Sequence, residues 1–289
     1  MASASLPSRS RQARKGATFR PHRTHVQWVS VAAAACFALL GPPACTPNIS
    51  AGKWTCSEDG GTTIVPASDA AIDYGWSTGF ESKFCDYAPP SGRCYSSGPG
   101  ASYELVTAPA PVHRGHFAAA FSVESGRDVH TRCYRQGALP QAAYFAAWYY
   151  LPAYATNTGN WNLFHFRGGD DVDHTQGMLD VSLESANGNL QLALFGMNHA
   201  RISGSAPAPN VPIEKWFQIA VYVKRAPEAT GEVALFQDGN ELLRVKNVAT
   251  DDSPLARWYV GNLADGLSPA NYTLFVDDIT ISEQLIYEK

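Results

Sequence analysis

Acidic residues are missing from the beginning of this 289-residue chain, where the first carboxylate is that of Glu58. Six basic residues come first, and the apolar, alanine-rich run from Trp28 to Leu40 follows them, with small and turn-forming residues up to Cys45. This order is typical of a secretory signal. The apolar run is shorter than the about 20 residues that cross a membrane. The sequence therefore predicts a signal at residues 1–45, with a basic arm for nucleic acid as the alternative.

Basic residues are scarce in the chain that follows. Without the six in the signal, 16 of the 22 Lys and Arg residues remain against 26 Asp and Glu residues, a net charge of about −10. This charge disfavours nucleic acid as a partner, because its phosphates are negative. We expect an exported monomer without a transmembrane span in the mature chain. It would be secreted, or held at the cell envelope by a lipid on Cys45.

No stretch after the signal keeps the 3.6-residue apolar period of a helix for three turns. Residues 46–70 are polar and turn-rich, which is typical of a linker or an N-terminal segment. From residue 71 to residue 289, strand patterns alternate with turn signals such as Asn187-Gly188 and Asp238-Gly239. More than ten strands at this spacing predict one all-β domain, a two-sheet jelly-roll sandwich.

The sequence has six cysteines, but no two of them have the spacing of zinc ligands. Two belong to the signal, so four remain in an exported domain, which predicts two disulfides. The loop between Cys85 and Cys94 is short and rich in proline and glycine. We therefore expect Cys85 to pair with Cys94 and Cys56 with Cys133, although the sequence alone permits three pairings.

Alternation along the predicted strands sorts apolar side chains to one face and a mixture of aromatic, basic and amide side chains to the other. A solvated sheet face ordinarily carries Thr, Ser, Lys and Glu, whereas rings and hydrogen-bonding groups suit sugars. If the strands lie side by side, their polar faces form one concave glycan-binding surface. Its members would be Arg132, Tyr134, Trp148, Tyr150, Trp161, His165, Arg167, Gln191, Gln218 and Tyr222.

Several stretches carry a resemblance to a known family. They are residues 130–135, Trp148–Pro152, Trp161–Arg167, Glu214–Phe217 and Gly231–Gly239. Over residues 130–282 the chain resembles the heparin lyase I-like and alginate lyase-like polysaccharide lyases, which have a concanavalin A-like jelly roll. The resemblance implies that the partner is a uronate-containing polysaccharide and that the reaction is β-elimination.

The chemistry that this resemblance implies needs three groups. One neutralises the uronate carboxylate, a base takes the C5 proton, and an acid protonates the leaving oxygen. The resemblance implies Arg132 or Arg167 as the neutralising group and His165 as the base. It implies Tyr222 or Tyr259 as the acid.

The chain departs from the family pattern on three strands. Arg135 stands where the family has a carboxylate, and Tyr259 where it has a lysine. The family's Gln-x-His pair falls on His165 and Arg167, so the histidine is displaced to the Gln position. A non-catalytic glycan-binding or surface-attachment module on the same fold is therefore the alternative function, and a structural envelope protein is a third.

Glycoside hydrolysis needs two carboxyl groups about 5–5.5 Å apart or about 6.5–9.5 Å apart. Asp180 and Glu184 share a predicted strand face, but four strand steps separate them by about 13 Å, which disfavours this reaction.

The lyase chemistry requires no cofactor, but a structural calcium is a further expectation. Asp277 is a carboxylate on an apolar strand face, and Gly79-Phe80-Glu81-Ser82 resembles the opening of many carbohydrate-binding jelly rolls. In those folds the first and last strands hold calcium through such oxygen ligands. We expect Glu81 and Asp277 to be the ligands, with hydrogen bonds to a neighbouring loop as the alternative.

Overall fold

The computed structural model describes residues 75–288, except residues 90, 125, 138, 169–176, 197–199, 203, 205–207, 227 and 251–255. The predicted signal, Cys45 and the linker at residues 46–70 lie outside the described residues. In the described part, the secondary structure consists of fifteen strands and one short 3-10 helix, Cys85–Tyr87. Within these residues no helix has the length and apolar character needed to cross a membrane.

The strands form two antiparallel sheets. In spatial order, sheet I contains β13 (Asn240–Val248), β12 (Gly231–Gln237), β11 (Trp216–Lys224), β6 (Ala142–Tyr150), β15 (Asn271–Ser282), β4 (Ala118–Glu124) and β3 (Ser102–Val106), and β1 (Trp76–Thr78) also pairs with β15. Sheet II contains β10 (Arg201–Ile202), β9 (Asn189–Phe195), β8 (Gly177–Ala186), β7 (Trp161–Gly168), β14 (Ala256–Ala264), β5 (Val129–Gly137) and β2 (Gly92–Ser97).

Aromatic side chains fill the core between the two sheets. Phe145 of β6 in sheet I contacts Phe166 of β7 and Trp258 of β14 in sheet II, at ring-centroid distances of 5.0 and 5.1 Å. All three side chains are buried. Because side chains alternate along a strand, each sheet turns every second residue away from this core. The outer faces of sheets I and II therefore point in opposite directions.

The expected all-β sandwich is confirmed, and β11 illustrates why the sequence predicts it. Its odd-numbered residues Phe217, Ile219, Val221 and Val223 are β-branched or aromatic, and all of them are buried in the core. Such residues favour extended strands, and a period of two places them on one face.

Two hairpins have the turns that the sequence predicts. Asn187 and Gly188 connect β8 to β9 with φ angles of 52° and 77°. Asp238 and Gly239 connect β12 to β13 with φ angles of 51° and 74°. Positive φ at both central residues is the signature of a type I′ turn, whose twist matches that of the two strands.

The disulfide pairing that we expect from the loop length is wrong. Cys94 of β2 is bonded to Cys133 of β5, and the two residues are directly opposite each other in the strand register. The β2–β5 ladder, and not the short loop before β2, therefore determines the partner of Cys94. Cys85 is also disulfide-bonded, and Cys56 lies outside the described residues.

Candidate functional site

One line of side chains crosses the outer face of sheet II. The strand registers place Tyr134 of β5 opposite Tyr259 of β14, Tyr259 opposite His165 of β7, and His165 opposite Asp180 of β8. The ring centroids of Tyr134 and Tyr259 are 5.3 Å apart, as are those of Tyr259 and His165. We call these four residues the central row.

A buried carboxylate holds the imidazole of the central row. Nδ1 of His165 lies 2.5 Å from Oδ1 of Asp180, which also accepts a hydrogen bond of 2.8 Å from Nδ2 of Asn162. Asp180 and Asn162 are buried, whereas the His165 side chain is 20% exposed. With a carboxylate as its acceptor, Nδ1 carries the hydrogen, and Nε2 is the ring atom that can take a proton. An imidazole oriented in this way is suited to act as a general base.

The guanidinium of Arg132 lies against the same row. Its Cζ is 4.9 Å from the centroid of the Tyr259 ring. Arg132 is only 8% exposed, and its Nε has no hydrogen-bond partner among the described residues. A positive charge is thus held beside a tyrosine ring, in a partly desolvated place where it attracts an anion more strongly than it would in water.

A glycine makes room for this arginine. Gly261 of β14 is opposite Arg132 in the register. A Cβ at position 261 would lie 2.4 Å from the carbonyl oxygen of Thr131 and 2.7 Å from Cα of Arg132. Both distances are shorter than van der Waals contact, so only glycine allows β14 and β5 to approach so closely here.

Two more arginines lie beside the central row, on the side opposite to Arg132. Arg257 of β14 is opposite Arg167 of β7 in the register. Cζ of Arg257 is 5.3 Å from the ring centroid of Tyr134. The central row therefore has guanidinium groups on both sides, and such groups bind carboxylates with good geometry.

A second tyrosine adjoins Arg132 at the edge of the sheet. Tyr95 of β2 is opposite Arg132, and its ring contacts those of His130 and Tyr134 at centroid distances of 5.3 and 6.0 Å. Burial raises the pKa of the Tyr95 hydroxyl, while the charge of Arg132 acts in the opposite direction. Burial, and next the charge of Arg132, lower the pKa of His130.

The expectation of one shared polar surface is wrong, because the predicted residues lie on two opposite faces. Arg132, Tyr134, His165, Arg167, Gln191 and Tyr259 belong to sheet II, whereas Trp148, Tyr150, Gln218 and Tyr222 belong to sheet I. Alternation predicts which way a side chain points from its strand, but not which sheet the strand joins. Tyr222 contacts Tyr144 at 5.0 Å on the outer face of sheet I, so it is not placed to act with His165.

The C-terminal segment covers part of the outer face of sheet I. Nε2 of Gln218 donates to the carbonyl oxygen of Ile286 at 2.8 Å, and the rings of Trp148 and Tyr287 stack with centroids 5.6 Å apart. His113 stacks on Trp148 as well, at 3.9 Å. Trp148 and Gln218 are therefore buried beneath these groups, on the face opposite to the central row.

Trp161 and Gln191 lie away from the central row. Trp161, which we expect on the polar face, is a core residue that is 0% exposed, and its Nε1 donates to Oδ1 of Asn262 at 3.0 Å. A register shift between residues 162 and 164 in the β7–β8 pair changes the alternation and turns Trp161 inward. Gln191 lies two strands from β7, opposite Glu184, and its amide donates to Oδ1 of Asn210 at 3.4 Å.

Sequence reasoning did not select Asp180, Asn162, Arg257 or Tyr95 as site residues. A signal for Asp180 exists, because His165 and Asp180 lie on the polar faces of two consecutive predicted strands. Antiparallel pairing of those strands places the two residues opposite each other. No pattern in the sequence points to Asn162, because the direction of its side chain depends on the register shift in β7.

The two expected calcium ligands both bind the loop at residues 113–117. Oε1 of Glu81 accepts hydrogen bonds from the backbone N–H groups of His116 and Phe117, at 2.7 and 3.1 Å. Oδ2 of Asp277 accepts those of residues 113 and 114, at 2.9 and 3.2 Å. Burial, and next the charge of Asp278, raise the pKa of Asp277 to about 7.

The described residues contain no group of three or more His, Cys, Asp and Glu side chains with the arrangement of a metal site. The hydrogen bonds of Glu81 and Asp277 also occupy carboxylate oxygens that calcium would need, since calcium takes six to eight oxygen ligands. Hydrogen bonding to a neighbouring loop, the alternative, therefore accounts for both side chains in this structure. Calcium binding at this place stays a prediction.

Solved structures of two polysaccharide lyases and of one further protein share this fold. An endo-β-1,4-glucuronan lyase from the fungus Trichoderma reesei has a TM-score of 0.56 at 14% identity, over 73% of this chain and 96% of that one. The cellulose-induced protein Cip1 has a TM-score of 0.54 at 14% identity, over 74% and 100%. An alginate lyase from Aplysia kurodai has a TM-score of 0.52 at 10% identity, over 73% and 100%. At such identities the similarity shows the fold, which is the expected jelly roll.

Comparisons of the sequence with other sequences identify no further relative. No protein-family model matches the chain, and a search of curated proteins finds no significant match.

Proposed function

We propose that this protein binds a uronate-containing polysaccharide on the outer face of sheet II and cleaves it by β-elimination. The observation that carries the proposal is the central row with Arg132 beside it. The imidazole of His165, the hydroxyl of Tyr259 and the guanidinium of Arg132 come from three neighbouring strands and lie close together on one face. Base, acid and carboxylate-neutralising group are the three functions that the reaction needs.

In the proposed reaction Nε2 of His165 takes the C5 proton of the uronate. Asp180 stabilises the imidazolium that forms, because its carboxylate accepts the Nδ1 hydrogen at 2.5 Å. The hydroxyl of Tyr259 gives its proton to the leaving oxygen at C4. The C5–H and C4–O bonds break, and a C4–C5 double bond forms in the product.

A guanidinium has to neutralise the uronate carboxylate before the C5 proton becomes acidic. Arg132 is our choice for this function, because it contacts the Tyr259 ring and is held in a partly desolvated place. Arg167 and Arg257 lie on the other side of the central row and would bind the carboxylate of another sugar unit. Tyr222 has no role in this proposal, since it belongs to sheet I.

Ultraviolet absorbance tests this function, because the double bond conjugated to the carboxylate absorbs and the substrate does not. Purified protein is incubated with alginate, glucuronan and heparin. A steady rise with at least one of them is expected, and replacing His165 by alanine should remove it. No rise with any uronate polymer, together with measurable binding, would support the second candidate function.

That second candidate is a glycan-binding module without catalysis, and the position of Arg135 favours it. This residue stands where the family has a carboxylate. Its side chain points away from the central row, since it donates to the carbonyl oxygen of Asp86 at 2.9 Å and lies over the ring of Trp76 at 4.6 Å. An acid from this position is therefore unavailable for the reaction.

We also propose that the chain is exported, on the strength of the signal pattern at residues 1–45. The protein would be secreted, or anchored at the envelope through a lipid on Cys45. Fractionation of cells that express the full chain tests this proposal, and mass spectrometry of the mature N-terminus distinguishes the two forms. Full-length protein retained in the cytoplasm would refute export.

A further inference from the structure

Three aromatic side chains form a row across the outer face of sheet I, on the side of the domain opposite to the central row. The strand registers place Trp216 of β11 opposite Tyr150 of β6, and Tyr150 opposite Phe275 of β15. The ring centroid of Tyr150 lies 5.6 Å from that of Trp216 and 5.9 Å from that of Phe275. Their neighbours in the chain are core residues, so alternation turns the three rings outward. We call them the aromatic row.

The rings of the aromatic row are partly exposed. A solvated sheet face ordinarily carries polar side chains, and apolar groups that lie together at a surface mark an interaction site. The C-terminal segment contacts Trp148 and Gln218, which lie two residues further along β6 and β11. The aromatic row therefore lies beside the part of this face that the segment covers.

An imidazole borders the aromatic row on that side. The ring of His113 is 5.5 Å from that of Trp216, and it stacks on Trp148 at 3.9 Å. Nδ1 of His113 lies 2.6 Å from Oδ2 of Asp278. With a carboxylate as its acceptor, Nδ1 carries the hydrogen, and Nε2 can accept a hydrogen bond. A ligand that stacks on Trp216 would meet a hydrogen-bonding group here.

Negative charge lies on two sides of the aromatic row. Asp278 holds His113 at one side, and the basic side chain of Arg114 beside it is paired with Asp278 and Glu288. At the other side Phe275 is followed across the sheet by a small alanine of β4 and then by the exposed Glu104 of β3. Carboxylates repel a polyanion, so this row suits an uncharged ligand.

The tilt of the rings favours a single chain over a flat surface as the ligand. The plane of the Tyr150 ring is inclined by 57° to that of Trp216 and by 77° to that of Phe275. Rings inclined in this way cannot all lie flat against one crystal face. They can contact successive units of one twisted polymer chain.

We propose that the aromatic row is a second carbohydrate-binding site, which takes a single chain of neutral sugars. The apolar faces of the sugar rings would stack on the three aromatic rings, and a hydroxyl would donate to Nε2 of His113. This site goes beyond the proposed function, because it uses no residue of sheet II. It would hold the domain on a neutral polysaccharide while the opposite face is free to bind a uronate polymer.

Trp216→Ala and Tyr150→Ala test this site, because each variant removes one ring of the row. Binding of a soluble β-glucan, an α-glucan and a mannan to the full chain is measured by affinity electrophoresis and calorimetry. We expect the wild type to bind at least one of them, and each variant to bind it at least tenfold more weakly, as truncation of a central aromatic anchor predicts. Tyr222→Ala is the matched control, since it removes a tyrosine ring from the same face of β11, and it should bind like the wild type.

Two further measurements keep the test decisive. Circular dichroism shows whether each variant is folded, and Phe275→Ala replaces Trp216→Ala in the comparison if the latter is not. The two faces are separated by exchange of ligands. His165→Ala should bind the neutral polymer like the wild type, and Trp216→Ala should act on uronate polymers like the wild type.

If the wild type binds none of the neutral polymers, or if the ring variants bind them as well as the wild type does, the second site is refuted and the proposed function is unaffected. Sedimentation velocity covers a different occupant. If the wild type forms a dimer that Trp216→Ala dissociates, and no neutral polymer binds, the aromatic row is an interface between copies of the chain and the second site is refuted. Failure to cleave uronate polymers would instead refute the proposed function and leave the second site standing.

Discussion

Oδ1 of Asp180 accepts hydrogen bonds from both Nδ1 of His165, at 2.5 Å, and Nδ2 of Asn162, at 2.8 Å. One buried carboxylate oxygen therefore fixes the tautomer and the plane of the imidazole. In the proposed reaction the carboxylate of Asp180 would face the imidazolium that forms when the base takes the C5 proton.

Replacing Asp180 by asparagine should lower the cleavage rate by about 10²-fold to 10⁴-fold, the usual contribution of an oriented general base. An asparagine amide can present either a donor or an acceptor to Nδ1, so the required tautomer is no longer fixed. The measurement is kcat on the preferred polymer, together with the dissociation constant. Substrate binding should change little, and an equal loss of binding and kcat would speak against an orienting role.

Tyr259→Phe and Tyr222→Phe form a matched pair on opposite sheets. The first should reduce kcat by about 10²-fold or more, because the leaving oxygen loses its proton donor. The second should leave kcat unchanged, since Tyr222 contacts Tyr144 and the guanidinium of Arg244 on the other side of the domain. Initial rates at saturating polymer provide the comparison. A large effect of Tyr222→Phe alone would contradict the assignment of the site to sheet II.

Gly261→Ala should destabilise the fold by about 1–3 kcal/mol, the usual cost of forcing extra atoms into a packed place. The added Cβ would lie 2.4 Å from the carbonyl oxygen of Thr131, so β14 and β5 must separate. Urea unfolding monitored by tryptophan fluorescence measures the change. Gly188→Ala is the control, because a Cβ there has nothing within 4 Å and only its φ of 77° is unfavourable. Equal losses in the two variants would show that backbone strain, and not the close approach, matters at position 261.

His130 should contribute stability that is lost on acidification, whereas the raised pKa of Asp277 acts in the opposite direction, because protonation of Asp277 favours the folded state. Burial lowers the pKa of His130 in the folded state below the ordinary value of 6.5. The unfolded chain therefore takes a proton first, and the stability that His130 contributes is present above pH 6.5 and is lost as the pH falls through the folded pKa. Melting temperatures of the wild type and His130→Gln at pH 8 and pH 5 provide the test. On going from pH 8 to pH 5, the melting temperature of the variant should change more favourably than that of the wild type, and an identical change would refute the contribution of His130.

The period of two along the strands predicts much of this site from the sequence. Alternation correctly turns His165 and Arg167 away from Phe164 and Phe166, since only one face of the strand can be buried. It also predicts that Arg132 and Tyr134 share a face. These are local properties, and each strand determines them by itself.

The assembly of the strands could not be predicted in the same way. β14 lies between β5 and β7 although more than eighty residues separate it from either strand in the chain, so the contact of Tyr259 with His165 is purely a consequence of topology. The same topology sends Trp148 and Tyr222 to the opposite face. A single register shift in β7 turns the side chain of Trp161 toward the core. The pairing of β2 with β5 determines that Cys94 bonds to Cys133.

If the face with His165 and Tyr259 performs β-elimination on a uronate polymer, the ultraviolet absorbance of the unsaturated product reports the reaction directly. Wild type, His165→Ala, Tyr259→Phe and Tyr222→Phe are compared at equal concentration on glucuronan and alginate, with product mass determined in parallel. The wild type and Tyr222→Phe should form unsaturated oligosaccharides, and the other two variants should form little or none. Saturated products, no products from the wild type, or unsaturated products formed at the wild-type rate by His165→Ala would contradict this function.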